Sequence, residues 1–186
     1  MPKFTKTAIM QSFVKLLEST PFDKITVKDI VDDCGVNRNT FYYNFEDIYA
    51  LVDALLSEEV ARVLEKQKSC NSWKDGLYYG AEFVLQHKRA VYHLYHSSKR
   101  DQLDRYFKRV VYDAAAEVVR REAASLTATD ADIEFVAGFY GDALIGMIRR
   151  WLDSDMKGDL EAMIRKLSAL LDSSVRQAIL TVSAVE

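Results

Sequence analysis

Between Asn37 and Asn44 the chain reads NRNTFYYN, and every residue except Phe41 carries a hydrogen-bonding side chain. Arg38 can donate a parallel pair of hydrogen bonds to the O6 and N7 of guanine, and Asn37 or Asn39 can pair with the N6 and N7 of adenine. Thr40, Tyr42, Tyr43 and Asn44 supply hydroxyl and amide groups of the kind that bond phosphate oxygens and hold a protein in register on a duplex. Upstream, Thr26 stands where a helix should begin. Free N–H groups and the helix dipole favour an anion at such a place, and Lys28 adds charge beside it. The chemistry these residues share is recognition of double-stranded DNA.

That chemistry requires a helix presented to a major groove, and the flanking sequence supplies the means. Ile9, Phe13, Leu16 and Leu17 fall at i, i+4, i+7 and i+8, the apolar stripe of a first helix. The stretch STPFDK ends it. Thr26 then caps a second helix, with Asp29 three residues on in the capping-box position. Val27, Ile30 and Val31 give that helix its buried face, and Gly35 ends it with positive φ. Asn37 caps a third helix in which Phe41 and Phe45 point inward one turn apart, so the polar residues between them face out. Two short helices around a glycine turn, preceded by a packing helix, form a helix-turn-helix. An αα corner of this shape also occurs in proteins that touch no DNA. The two phenols exposed beside buried Phe anchors are what favour the DNA reading.

The charge balance sets a limit on it. From Met1 to Phe45 there are six basic side chains, Lys3, Lys6, Lys15, Lys24, Lys28 and Arg38. Five acids oppose them, Glu18, Asp23, Asp29, Asp32 and Asp33, and Glu46 and Asp47 follow at once. Phosphate neutralisation supplies most non-specific affinity, so the electrostatic contribution should be small and hydrogen bonds should carry more of the binding. Glu46 and Asp47 also suit the amino end of a fourth helix for structural reasons alone.

The segment GVNRNTFYYNF, together with Thr26 and Leu51, resembles the TetR family of bacterial transcription regulators. The resemblance implies an all-α fold, with a three-helix DNA-binding domain over residues 1–46 and a helical ligand-binding and dimerisation domain over 47–186, about nine helices in all. It implies a homodimer that places paired N-terminal domains in successive major grooves of a pseudo-palindromic operator, most often as a repressor released by a small-molecule effector. By the same resemblance, Thr26 and Tyr43 match phosphate-contact positions, and Asn37, Arg38, Asn39 and Tyr42 match positions that touch bases or backbone. The chain departs from the family pattern at Asn44, commonly His, at Asn39, often Gly, and at Glu46 to Ile48, where lysine is frequent. GMIRRWLDSDMKGDLEAMIRKL, from Gly146 to Leu167, resembles regulators of dihydroxyacetone kinase operons. Some of these are activators that take their signal from a regulatory protein partner rather than from a directly bound effector.

Beyond the first domain, apolar spacing predicts long helices over about 47–68, 101–124, 131–154 and 157–181, with SCNSW at Ser69 to Trp73 as a linker. Tyr79, Phe83, Tyr92, His93, Tyr95, His96 and Phe139 have the amphipathic character of a small-molecule cavity, and equally of an ordinary core with hydroxyls reaching the surface. Gly138 and Gly141 stand in a strongly helical segment, which suggests close helix approach. With Ile145, Ile148, Leu167, Leu170, Leu171 and Val175 they are the candidate dimer seam, the alternative being that the two last helices only complete the subunit core.

Other functional classes find little support. There is no Gly-rich phosphate loop or nucleophile elbow. His93 and His96, at i, i+3, have no third ligand at convincing spacing. An enzyme is therefore not expected, nor a cofactor or bound metal. Two cysteines, Cys34 and Cys70, in 186 residues do not make a disulfide framework. The opening residues MPKFTKTAIMQSF lack the apolar core expected of a signal peptide, and no apolar run approaches the roughly 20 residues that span a bilayer. The expected location is the cytoplasm, with no membrane partner.

Overall fold

The structure, a computed structural model, describes residues 2–67 and 73–185. Among the described residues there are nine α-helices and no strand: α1 Pro2–Leu17, α2 Val27–Cys34, α3 Arg38–Asn44, α4 Ile48–Gln67, α5 Trp73–Gln86, α6 Lys88–Tyr95, α7 Arg100–Ala123, α8 Asp130–Asp153 and α9 Leu160–Val182. A single 3-10 turn, Phe22–Lys24, lies between α1 and α2. The linker expected at Ser69 to Trp73, and Cys70 with it, falls almost entirely on residues 68–72, outside those described.

The chain divides into two compact units, one of residues 1–59 and 83–106, the other of 60–82 and 107–186. The first unit gathers α1–α3 with α6 and the adjoining parts of α4, α5 and α7. The middle segment 83–106, which the sequence groups with the C-terminal domain, thus packs with the helix-turn-helix. Its core is built from the stripes that periodicity predicts: Ile9, Phe13 and Leu17 of α1, Ile30 and Val31 of α2, Phe41 and Phe45 around α3, and Leu51 and Val52 of α4 are all buried. Phe13 meets Phe22 edge-on, with ring centroids 6.1 Å apart. Ser12, buried on α1, donates to the Asp33 carboxylate (2.8 Å), which also accepts from Lys15 (2.5 Å). This polar clasp joins α1 to the carboxyl end of α2.

The second unit is dominated by the antiparallel-pattern pair α8 and α9. α8 buries Val136, Ala137, Tyr140, Leu144, Ile145 and Leu152, and α9 buries Ile164, Leu167, Leu171, Val175 and Ile179. Thr129 and Asp132 form a capping box at the start of α8, the same Thr-x-x-Asp device as at α2. The turn to α9 passes through three left-handed residues, Asp155, Met156 and Gly158. Met156 is only 1% exposed and plugs the turn into the core. α9 therefore starts at Leu160, capped by Asp159, rather than at the expected 157, because the left-handed turn must finish first.

Gly141 is the glycine of α8 with a packing role. A Cβ there would stand 3.3 Å from the ring of Tyr112, whose hydroxyl donates to Asp142 on the same turn of α8. At Gly138 and Gly146 an added Cβ meets nothing within 4 Å. In chemical denaturation, Gly141→Ala should lower stability by about 1 kcal/mol, because overpacking outweighs the helix-propensity gain. Gly138→Ala, with no neighbour to displace, should raise the intrinsic stability of the subunit by up to about 1 kcal/mol.

Candidate nucleic-acid interface

The exposed surface of α3 is a consequence of how α2 and α3 are pinned at their ends. At α2, the Thr26 backbone N–H and hydroxyl both donate to the Asp29 carboxylate, at 2.8 and 2.6 Å, while the Asp29 N–H reaches the Thr26 hydroxyl oxygen at 3.3 Å. Gly35 follows α2 at φ 71°, left-handed as its position requires. Asn37 then caps α3, its side-chain oxygen accepting from the Thr40 N–H at 2.8 Å and the Thr40 hydroxyl at 3.0 Å. Asn44 closes the other end, donating from Nδ2 to the Thr40 carbonyl at 2.8 Å.

Phe41 is fully buried and Phe45 nearly so, with ring centroids 5.8 Å apart. Helical geometry then leaves Arg38, Asn39, Tyr42 and Tyr43 exposed, Tyr43 by 83%. The nine residues singled out in the sequence thus separate by role. Thr26, Asn37, Thr40 and Asn44 spend hydrogen-bonding groups on holding the two helices. Arg38, Asn39, Tyr42 and Tyr43, with Lys28 exposed on α2, present theirs to solvent. The residues that sequence reasoning missed are Ser12, Lys15 and Asp33, whose clasp sets α2 against α1; they lie on two different helices, with no local motif to flag them.

Electrostatics at this surface are sparse. Lys6 pairs with Glu58 at 2.8 Å and Lys15 with Asp33, which leaves Lys24, Lys28 and Arg38 as the cations of the described 4–45 segment that form no ion pair. The hydrogen bonds from Thr26 hold the Asp29 carboxyl below the usual carboxylate range, and those from Lys15 and then Ser12 do the same to Asp33.

The residues proposed from sequence as a cavity belong to different units. In the first, Phe83 is buried, Tyr95 is buried with its hydroxyl accepting from Arg100, and His96 packs at a tilt against Tyr92 with centroids 4.4 Å apart. His93 Nδ1 lies 2.6 Å from the Leu17 carbonyl oxygen and must therefore carry a proton and donate it. This bond, with His87 Nδ1 3.2 Å from Glu18, ties α6 to the end of α1. In the second unit, Tyr79 lies half-buried beneath Lys66 and Phe139 is 63% exposed. Among the described residues no three His, Cys, Asp or Glu side chains cluster as a metal site. No helix of the described residues is long and apolar enough to cross a membrane.

The candidate dimer seam also divides. Gly141, Ile145, Leu167, Leu171 and Val175 are buried inside the second unit, whereas Leu170 is 60% exposed and Gly138 and Ile148 are half-buried. The outer face of α8 and α9 is made instead by Phe135, Phe139 and Leu170. Phe135 and Phe139 border an open apolar groove of about 500 Å³ with Tyr140, Ser174 and Gln177. Phe135 and Phe139, one turn apart and out of phase with the buried stripe, are the sequence signal for this second apolar face.

Residues 9–55 of the chain match the family described as bacterial regulatory proteins, tetR family, and residues 71–173 match the one described as transcriptional regulator C-terminal region. No curated protein sequence matches the chain. Among solved structures the fold is similar to that of the dihydroxyacetone kinase operon activator DhaS, with a TM-score of 0.78 and 16% identity over 93% of this chain and 97% of that one. It is also similar to a TetR transcriptional regulator from Streptococcus agalactiae 2603V (TM-score 0.59, 20% identity, 91% and 94% covered). A third similar structure is the fatty acid degradation regulator FadR from Bacillus halodurans (TM-score 0.60, 15% identity, 92% and 96% covered).

The lowered carboxyls at the two helix clasps make a pH prediction. A carboxyl depressed in the folded state contributes stability above the unfolded carboxylate range, and that contribution disappears as pH falls through the lower folded value. Thermal melts of Asp29→Asn and Asp33→Asn should show reduced stability at neutral pH and a shallower loss on acidification than the parent. Curves parallel to the parent's across the acid range would mean that neither carboxyl is linked to folding.

Proposed function

The chain belongs to the TetR family of bacterial regulatory proteins, and on that premise we propose that it is a homodimeric, operator-binding repressor acting in the cytoplasm and released by a small-molecule effector. The observation that carries the DNA-binding reading is the pinned α3, which exposes Arg38, Asn39, Tyr42 and Tyr43 on a helix that two buried Phe rings prevent from rolling. Arg38 is the candidate guanine reader and Asn39 the candidate adenine reader, with the phenols and Lys28 directed to the backbone. In a dimer the two α3 helices would enter successive major grooves roughly 34 Å apart, on a pseudo-palindromic site. Release would follow when an effector favours a spacing of the two helices that no longer fits that site.

The dimer reading is supported by the outer face of α8 and α9. Exposed Phe135, Phe139 and Leu170, with an open groove between the helices, make an apolar face of the kind that marks an interaction site. Gly146 is exposed on the same helix and packs against nothing in its own subunit, which leaves room for a second copy to approach there. Two copies related by a twofold axis would bury the same face on each.

A second reading is an activator governed by a protein partner on the C-terminal helices. Its support is the similarity to an operon activator and a groove near the α8–α9 turn, where Met147, Trp151 and Met163 are rimmed by Arg150 and Lys157. An acidic, amphipathic partner segment would suit that rim.

Two experiments test the proposal. Fluorescence anisotropy on duplex DNA from upstream of the protein's own gene should show tight binding that a scrambled duplex lacks. Arg38→Ala should weaken the specific complex by about 1–3 kcal/mol without altering the melting curve; equal affinity for both duplexes would sink the sequence-reading assignment. In sedimentation, the parent should be a dimer and Phe139→Glu with Leu170→Glu a monomer. A monomeric parent at micromolar concentration would remove the dimer proposal.

A further inference from the structure

α1 ends at Leu17, and the residue four positions on is Pro21. A helical carbonyl takes its hydrogen bond from the N–H of residue i+4, and proline has none to give. The neighbouring carbonyls are served by the backbone. Lys15 accepts from the Glu18 N–H at 3.3 Å, and Leu16 from the N–H groups of Ser19 and Thr20 at 3.1 and 2.9 Å. Among the described residues no backbone N–H reaches the Leu17 carbonyl, and Leu17 is only 2% exposed. A buried carbonyl needs a partner, so one has to come from elsewhere in the chain. It comes from His93 of α6, 76 positions away in sequence, whose Nδ1 stands 2.6 Å from the Leu17 oxygen. The imidazole gives α1 the bond that residue 21 cannot.

Two further bonds reach the same stretch. His87, at the start of α6, places Nδ1 3.2 Å from the Glu18 carboxylate. Ser98, just past α6, donates to Asp23 from its hydroxyl at 2.8 Å and from its N–H at 3.4 Å. One segment therefore grips residues 17, 18 and 23, along the connection from α1 to the 3-10 turn before α2. That connection fixes where Thr26 begins α2, and α2 carries α3 through the turn at Gly35. Asp23 is exposed and Glu18 partly so, and water can stand in for their partners. The grip of His93 is different, because it holds main chain and lies on a carbonyl shut off from solvent.

We infer that His93 is a positioning residue for DNA recognition. It closes the carboxyl end of α1 and so holds the α1–α2 connection in the path that presents α3. The assignment rests on the DNA-binding reading above and adds to it a residue that touches no nucleotide. Without the bond the connection samples other paths, and affinity for a specific site falls with the fraction of molecules that keep the competent one. Binding to random DNA depends on charge and is not altered by loss of a neutral ring. The neutral imidazole must be the Nδ1–H tautomer, since only a donor satisfies a carbonyl.

The test has two parts, both on the full chain. Nitrogen NMR of the histidine rings, with His93 assigned by its disappearance in His93→Leu, should find the proton of the neutral ring on Nδ1. Anisotropy titrations on the upstream duplex and on a random duplex then compare the parent with His93→Leu, which has no donor, and His93→Asn, whose amide nitrogen takes the place of Nδ1. His93→Leu should bind the upstream duplex about tenfold more weakly than the parent and the random duplex equally well. His93→Asn should recover most of the loss. Melting curves set the assay temperature well below every midpoint. A His93→Leu protein that melts earlier yet, while folded, binds the upstream duplex like the parent would overturn the assignment, since its histidine is then purely structural. So would a His93→Asn as weak as His93→Leu, or a neutral ring protonated on Nε2. Should His93→Leu fail to fold, His93→Gln, whose amide sits at the place of Nε2, replaces it in the comparison. A parent with no preference for the upstream duplex would overturn the DNA-reading premise itself, and would be seen before any variant is compared.

Discussion

Burial of Phe41 and Phe45, one helical turn apart, is the constraint on which the exposed polar surface of α3 depends. α3 has only seven residues, too few to be stable through propensity alone, so its existence rests on tertiary packing and its caps. Two rings inserted into the core from one short helix fix its rotation about its own axis. Once that rotation is fixed, Arg38, Asn39, Tyr42 and Tyr43 have no orientation available except outward. The hydrogen bonds of Asn37 and Asn44 to Thr40 then fix where the helix starts and how it ends. Asn37, Thr40, Phe41 and Asn44 pin the helix or plug it into the core, and the Tyr42 ring meets Phe41 edge-on.

A second level of organisation lies in how α2 and α6 are tied to α1. The Ser12–Asp33–Lys15 clasp holds α2, while His93 on the Leu17 carbonyl and His87 beside Glu18 hold α6. These are polar bonds at the periphery of an apolar core, each modest in net energy. Contacts of this kind can exchange partners without unfolding the core. The two histidine contacts tie the 83–106 segment to α1, so that it packs as one unit with the helix-turn-helix.

The second unit meets a different demand. α8 carries two apolar faces: Val136, Tyr140 and Leu144 point into the unit, while Phe135 and Phe139 point out. A helix inside a single layer needs only one such face. The outward face, with the unpacked Gly146, is not explained by packing within the unit, and it is the face that the proposed dimer would cover. Gly141, by contrast, is explained inside the unit by the Tyr112 ring.

Much of the fold was legible in the sequence because it is written in local signals. The Thr26 and Asn37 caps, the left-handed Gly35 and the apolar stripes of α1 to α4 each depend on residues within a turn or two of one another, and periodicity or cap chemistry is enough to read them. The candidate recognition residues were legible for the same reason, since Phe41 and Phe45 set the facing of a single helix. What the sequence did not decide is that Asn44 is engaged as well, its amide donating to the Thr40 carbonyl and so leaving fewer polar groups of α3 free than the pattern suggests. Nor could it say which apolar residues of α8 and α9 stay uncovered, because an amphipathic pattern records that a face is apolar but not what is packed against it. His93 on Leu17 and Ser98 on Asp23 join residues 76 and 75 positions apart. No local rule relates such positions, and only the folding of α6 and α7 beside the helix-turn-helix makes them neighbours.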